Sequence, residues 1–132
     1  MKKVSFLLIC LVVLLTSCKS DDTDSTNDIW NLVNISGGFA GIDKNFDTGK
    51  IIWTFNEENS TLVIEKNTQE PFIGINEGTY FYVIENIDGA TYLNLDNIER
   101  GSYAISQNQL IIDENKSSTG SGADRYVFKL EK

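Results

Sequence analysis

A chain of 132 residues, 41% hydrophobic and 23% charged, is long enough for one small domain with a single core and too short for two. Its 19 acidic residues outnumber 11 basic ones for a net charge of −8, which repels phosphate backbones and argues against nucleic acid as a partner. There is no histidine, which removes Ser-His catalysis, imidazole metal ligation and histidine acid–base chemistry together, so neither a metal nor another cofactor is expected.

The chain opens on Lys2-Lys3 and a twelve-residue apolar run, Val4–Leu15. A bilayer-spanning helix needs about 20 apolar residues and a secretory signal roughly 7 to 15, so residues 1–17 read as a cleaved signal peptide. Leu15-Thr16-Ser17-Cys18 resembles the lipobox of bacterial lipoproteins. That resemblance implies that Cys18 is acylated and becomes the first residue of the mature chain, anchoring it to the outer membrane. Two or more acyl chains, at about 0.8 kcal/mol per buried methylene, would hold it there stably. Cys10 leaves with the leader, so no disulfide can form in the mature chain and no free thiol remains for catalysis. Loss of Lys2 and Lys3 lowers the basic count from 11 to 9 and takes the net charge to −10.

Residues 18–28 are the lipidated cysteine and a polar linker. Lys19-Ser20-Asp21-Asp22-Thr23-Asp24 resembles the acidic export signals of surface lipoproteins in Bacteroidota, and Asp24-Ser25-Thr26 resembles an O-glycosylation motif of the same bacteria. A plain solvated linker explains the same composition.

From Ile29 to the end, period-two alternation of Ile, Val, Tyr, Phe and Thr, broken by Asn, Asp and Gly, predicts an all-β domain spanning 29–132. Eight strands are expected near 29–35, 50–56, 60–66, 78–86, 90–95, 98–105, 109–113 and 124–131. Residues paired across a hairpin share a face of the sheet. A two-residue turn at Asp88-Gly89 sets Ile84 opposite Leu93 and Tyr82 opposite Leu95. A loop at 57–60 sets Trp53 opposite Ile64 and Phe55 opposite Leu62, and a turn at Gln107-Asn108 sets Ile105 opposite Leu110. The inward face then carries Trp30, Trp53, Tyr80, Tyr82, Tyr103 and Tyr126, as core or as the lining of a ligand pocket. With them stand Leu32, Phe55, Leu62, Ile64, Ile84, Leu93, Leu95, Ile105, Leu110, Ile112, Phe128 and Leu130. Eight antiparallel strands in a meander close most simply into an up-and-down barrel, with a two-sheet β-sandwich as the alternative. The same register turns Phe81, Val83 and Tyr92 outward, either under a long connection (36–49 or 67–77) or against a protein partner.

The connections carry no strong chemical motif. Asp43–Gly49 spaces oxygen ligands as a calcium loop does, but its glycine falls one place late and Thr54 stands where a bidentate Glu is required, so a turn is expected. Ser36-Gly37-Gly38-Phe39-Ala40-Gly41 lacks the first glycine and the following helix of a dinucleotide loop, and reads as a crossing of the barrel mouth. Ser117–Gly122 reads as a mobile tip. Glu57, Glu58, Asp113 and Glu114 fall at turns, where carboxylates commonly serve solvation.

The order of pieces resembles the lipocalin-like lipoproteins of Bacteroidota. The residues that carry it are Trp30-Asn31-Leu32-Val33 with Ser36-Gly37-Gly38, Gly49–Asn56, Gly101–Ile105 with Leu110-Ile111-Ile112, and Tyr126-Val127-Phe128. The resemblance implies a small antiparallel barrel with no shared catalytic residues. The expected role is non-enzymatic binding of a small apolar ligand or an envelope protein; the alternative is a carboxylate-dependent enzyme acting on envelope glycan or lipid. Radiolabelled palmitate fed to growing cells should mark the wild-type protein and not Cys18→Ser, and a mature product that retains Met1 would overturn the tethering.

Overall fold

The computed structural model describes residues 26–71 and 74–132. The leader, Cys18 and the linker as far as residue 25 lie outside the described residues. Among the described residues there are eleven strands: β1 Asn27–Gly37, β2 Ile42–Asn45, β3 Ile51–Asn56, β4 Thr61–Lys66, β5 Gly78–Ile87, β6 Ala90–Leu95, β7 Ile98–Ser106, β8 Gln109–Asp113, β9 Lys116–Ser117, β10 Gly120–Ser121 and β11 Tyr126–Glu131. Eight of them, β1, β3 to β8 and β11, form a closed antiparallel barrel, with β2 as one extra strand on β1. The fold is the up-and-down barrel that the alternation predicts, not a sandwich, and it is consistent with the lipocalin-like barrel that the resemblance implies.

Turn chemistry sets the order. Asp88-Gly89 and Asp96-Asn97 both adopt positive φ (53° and 82°, 49° and 65°), the geometry of a two-residue turn whose twist matches its strands. The three hairpin registers expected from residue sums are all present: Ile84 faces Leu93 and Tyr82 faces Leu95; Trp53 faces Ile64 and Phe55 faces Leu62; Ile105 faces Leu110.

Closure depends on β1. Its lower half, Asn27–Asn31, pairs with β3, and Asn31–Gly37 pairs with β11. Between Leu32 and Asn34 the pairing slips by one residue. This bulge leaves Val33 without an opposite number and turns Ile35, rather than Asn34, into the core. Strict alternation misses that switch. Among the described residues, the barrel pairings run from Asn27 to Glu131 and close the sheet on itself.

The core is made of Trp30, Leu32, Ile35, Ile51, Trp53, Phe55, Leu62, Ile64, Ile75, Leu93, Leu95, Leu110, Ile112, Phe128 and Leu130. Ile84 and Ile105 have the expected inward register but are 39% and 51% exposed, and Tyr80, Tyr82, Tyr103 and Tyr126 are half-buried. Alternation reports which face a side chain is on, not how far along the barrel it lies, and Ile84 and Ile105 sit near the turns at one end of it. The β2 strand was not expected, because only Ile42 in it is apolar. Polar bonds hold it: the Asn34 amide donates to Asp43 (2.8 Å) and to Asn45 (2.9 Å), so these would-be calcium ligands are engaged by an amide. The tip expected to be mobile at 117–122 is instead a short β9–β10 hairpin. Ser118 fixes it by donating its backbone N–H (2.8 Å) and its hydroxyl to Glu99.

Glycine is required where β7 passes β8. At Gly101 φ is +109°, and a Cβ there would stand 2.2 Å from the Asp113 carbonyl oxygen. Gly89 has a similar φ of +82° but open space around it. Gly101→Ala should therefore lower stability by about 2 kcal/mol or more, and Gly89→Ala by about 1 kcal/mol, both read from urea midpoints. Equal midpoints for the two variants would refute the packing role assigned to Gly101.

Candidate functional site

A ligand site inside the barrel would need space among the six inward aromatic residues. Trp30 and Trp53 are fully buried, and the rings fill the interior against one another. Trp53 lies 5.8 Å from Phe128 and 6.5 Å from Phe55. Phe55 in turn meets Tyr82 edge-on at 5.1 Å and Tyr103 at 6.2 Å, and Tyr126 stands 6.5 Å from Phe128. Such tilted and edge-to-face contacts add to burial and leave little room for a guest. Of the six, Tyr80 borders a cleft of about 90 Å³, together with Ile75, Leu95 and Ile98. That is well below the roughly 300 Å³ or more typical of ligand pockets. Its hydroxyl donates to the Asn76 carbonyl at 2.8 Å.

The end of the barrel where β1 begins is closed by charge and ring together. Trp30 Nε1 donates to Asp28 at 2.8 Å, Lys132 pairs with Asp28 at 2.7 Å, and the same ammonium stands 4.7 Å from the Trp30 ring centre. Burial raises the Tyr103 hydroxyl far above its ordinary range, and the Asp28 carboxylate, Tyr82 and Glu57 push it in the same direction. Burial also raises Tyr82, with Glu57 and Asp28 adding to the effect.

A carboxylate enzyme would need two acids in one cleft. Glu99 and Glu114 do share a concavity of about 390 Å³ with Ser117, Thr119 and Arg125. Each is already engaged: Glu114, a buried acid, pairs with Arg100 at 2.5 Å, and Glu99 accepts from Ser118. Sequence reasoning missed the Arg100–Glu114 pair because Glu114 lies beside a turn, where a solvated carboxylate is the ordinary expectation. Only the bulge that displaces Arg100 between Leu93 and Asn94, visible in three dimensions, brings the two together.

The outer face of β5 and β6 is different in kind. The β4–β5 ladder ends at the pair Thr61 and Phe81, and the β6–β7 ladder ends at Tyr92 and Ser102. From Val83 to Ile87, β5 therefore runs past the end of β4 and pairs only with β6, and residues 86–91 around the Asp88-Gly89 turn form an arm tip that pairs only with itself. Phe81 is 70% exposed and Val83 is 52% exposed, so the described residues leave this surface open. Tyr92, opposite Glu85, is half-buried on the same face. The Asn94 amide donates to Glu85 at 3.1 Å and ties the two strands together.

No family model matches the chain. Neither a curated protein nor a solved structure shows a significant match to it.

The tyrosines give a test of the packed interior. A tyrosine whose folded pKa is raised keeps a proton that the unfolded chain releases near pH 10, so its stabilisation is complete below about pH 10 and is lost as pH rises above it. The urea midpoint should fall between about pH 9 and about pH 11, and Tyr103→Phe should flatten that fall. An alkaline decline unchanged in Tyr103→Phe would contradict the burial of this hydroxyl.

Proposed function

We propose that the chain is a lipocalin-like envelope lipoprotein, anchored to the outer membrane through acyl chains on Cys18, that works without catalysis by binding a protein partner. The contact surface is the outer face of the β5–β6 arm, with Phe81 and Val83 at its centre and Tyr92 beside them. One observation carries this reading: the large apolar side chains of Phe81 and Val83 stand uncovered where β5 runs past the end of β4, while the barrel interior is filled. Exposed apolar surface of this kind is costly to leave in water and usually marks an interaction site. The lipobox-like Leu15–Cys18 and the acidic run after it support tethering, and cell-surface exposure follows from the likeness of that run to an export signal.

The packed aromatics favour a partner over a small apolar ligand, and the prior engagement of Glu99 and Glu114 speaks against carboxylate catalysis on glycan or lipid. Fatty acids, retinoids and haem should leave the fluorescence of Trp30 and Trp53 unchanged. In cells, a photoreactive residue at Val83 should crosslink to a partner, and one at Glu65, on a different strand, should not. Phe81→Asp should reduce that crosslink about tenfold with an unchanged circular-dichroism spectrum, as expected for a central contact residue. Equal crosslinking at positions 83 and 65, or an undiminished signal in Phe81→Asp, would overturn the assignment.

A further inference from the structure

The arm exposes backbone as well as side chains. The Tyr82 N–H donates across to Ser60 at 2.9 Å, toward β4, whereas the Phe81 carbonyl accepts from Asp96 at 2.8 Å, toward β6. Backbone groups alternate in direction along a strand. Those of Val83, Glu85 and Ile87 therefore serve the β6 ladder, and those of Ile84 and Asn86 point to the side where β4 has already ended. Proteins usually blunt such an edge with lysine, proline or a bulge. Between Val83 and Ile87 there is no lysine and no proline, and the pairing with β6 is regular.

Charge indicates what would fit there. From Asn67 to Glu99 the chain has no lysine or arginine, while Glu85 and Asp88 lie on the arm and Glu57 and Glu58 lie on the neighbouring β3–β4 turn. A second copy would bring one acidic arm against another, and like charges set across strands are destabilising. A strand carrying lysine or arginine would meet the opposite charge.

We propose that β5 offers its open edge at Ile84 and Asn86 to an extended, basic segment of a protein partner, which adds to the barrel wall as one more strand. This deepens the partner-binding reading and rests on it. Main-chain hydrogen bonds supply affinity in this mode, and alternate side chains supply selectivity. The residue opposite Val83 would be apolar, and the one opposite Glu85 would be lysine or arginine.

The test uses the lipid-free chain 19–132, which contains every barrel strand. A short fluorescent peptide of alternating valine and lysine should bind about tenfold or more tightly than its valine–glutamate counterpart. Hydrogen exchange at the Ile84 and Asn86 amides should be fast in the free protein and slow with the basic peptide bound. Asn86→Pro removes a donor that the β6 ladder does not use, so it should weaken binding about tenfold without unfolding the barrel. The edge assignment is overturned if the basic peptide fails to bind, if both peptides bind alike, if the two amides stay fast, or if the arm pairs with a second copy in sedimentation. If Phe81→Asp blocks cellular crosslinking while Asn86→Pro and the exchange rates show no effect, the partner surface survives and strand addition fails. If neither variant changes crosslinking, both are wrong.

Discussion

The barrel depends on β1 serving two neighbours at once. One strand of eleven residues pairs with β3 through its first half and with β11 through its second, and this closes the sheet. The slip between Leu32 and Asn34 makes the arrangement workable, because it lets Trp30 and Leu32 point inward below the bulge and Ile35 point inward above it. A strand without the slip would place Asn34 in the core, where a buried amide lacking partners costs on the order of 1 to 3 kcal/mol. Closure also leaves fewer free edges than an open sheet of the same strands would have.

With the wall closed, the size of the aromatic side chains decides what the interior can do. Trp53 sits between Phe55 and Phe128, and Phe55 passes contact on to Tyr82 and Tyr103. Barrels of about eight strands hold either their own side chains or one small ligand. Here the rings take the volume, and surface features must carry recognition. The same packing explains why Trp53 Nε1 has no hydrogen-bond partner: the ring is placed by its shape rather than by its one polar atom.

Much of the wall was legible because short turns and period two constrain each other. Asp88-Gly89 names a turn type, the turn type fixes a register, and the register assigns Ile84 and Leu93 to one face. Depth along the barrel was not legible, because it depends on how far one hairpin outruns the next. For that reason Ile84 and Ile105 read as core but stand at the rim. The bulge at Val33 and the displaced Arg100 were equally hidden, since each breaks the alternation used to find strands. The exposed pair Phe81 and Val83 was visible as an outward apolar stripe, but the early end of β4 beside it was not, because strand lengths differ between neighbouring hairpins.

The absence of basic residues across the arm also bears on how it would be attacked. Trypsin-like proteases cut after lysine or arginine, and between Lys66 and Arg100 they find neither. The β5–β6 hairpin is thus invisible to one whole class of peptidase, and complete digestion of the unfolded chain would release it within a single fragment, Asn67–Arg100. Enzymes that cut after aromatic or acidic residues meet Phe81 and Glu85 in the open, so sensitivity to those and resistance to trypsin are two consequences of one stretch of composition.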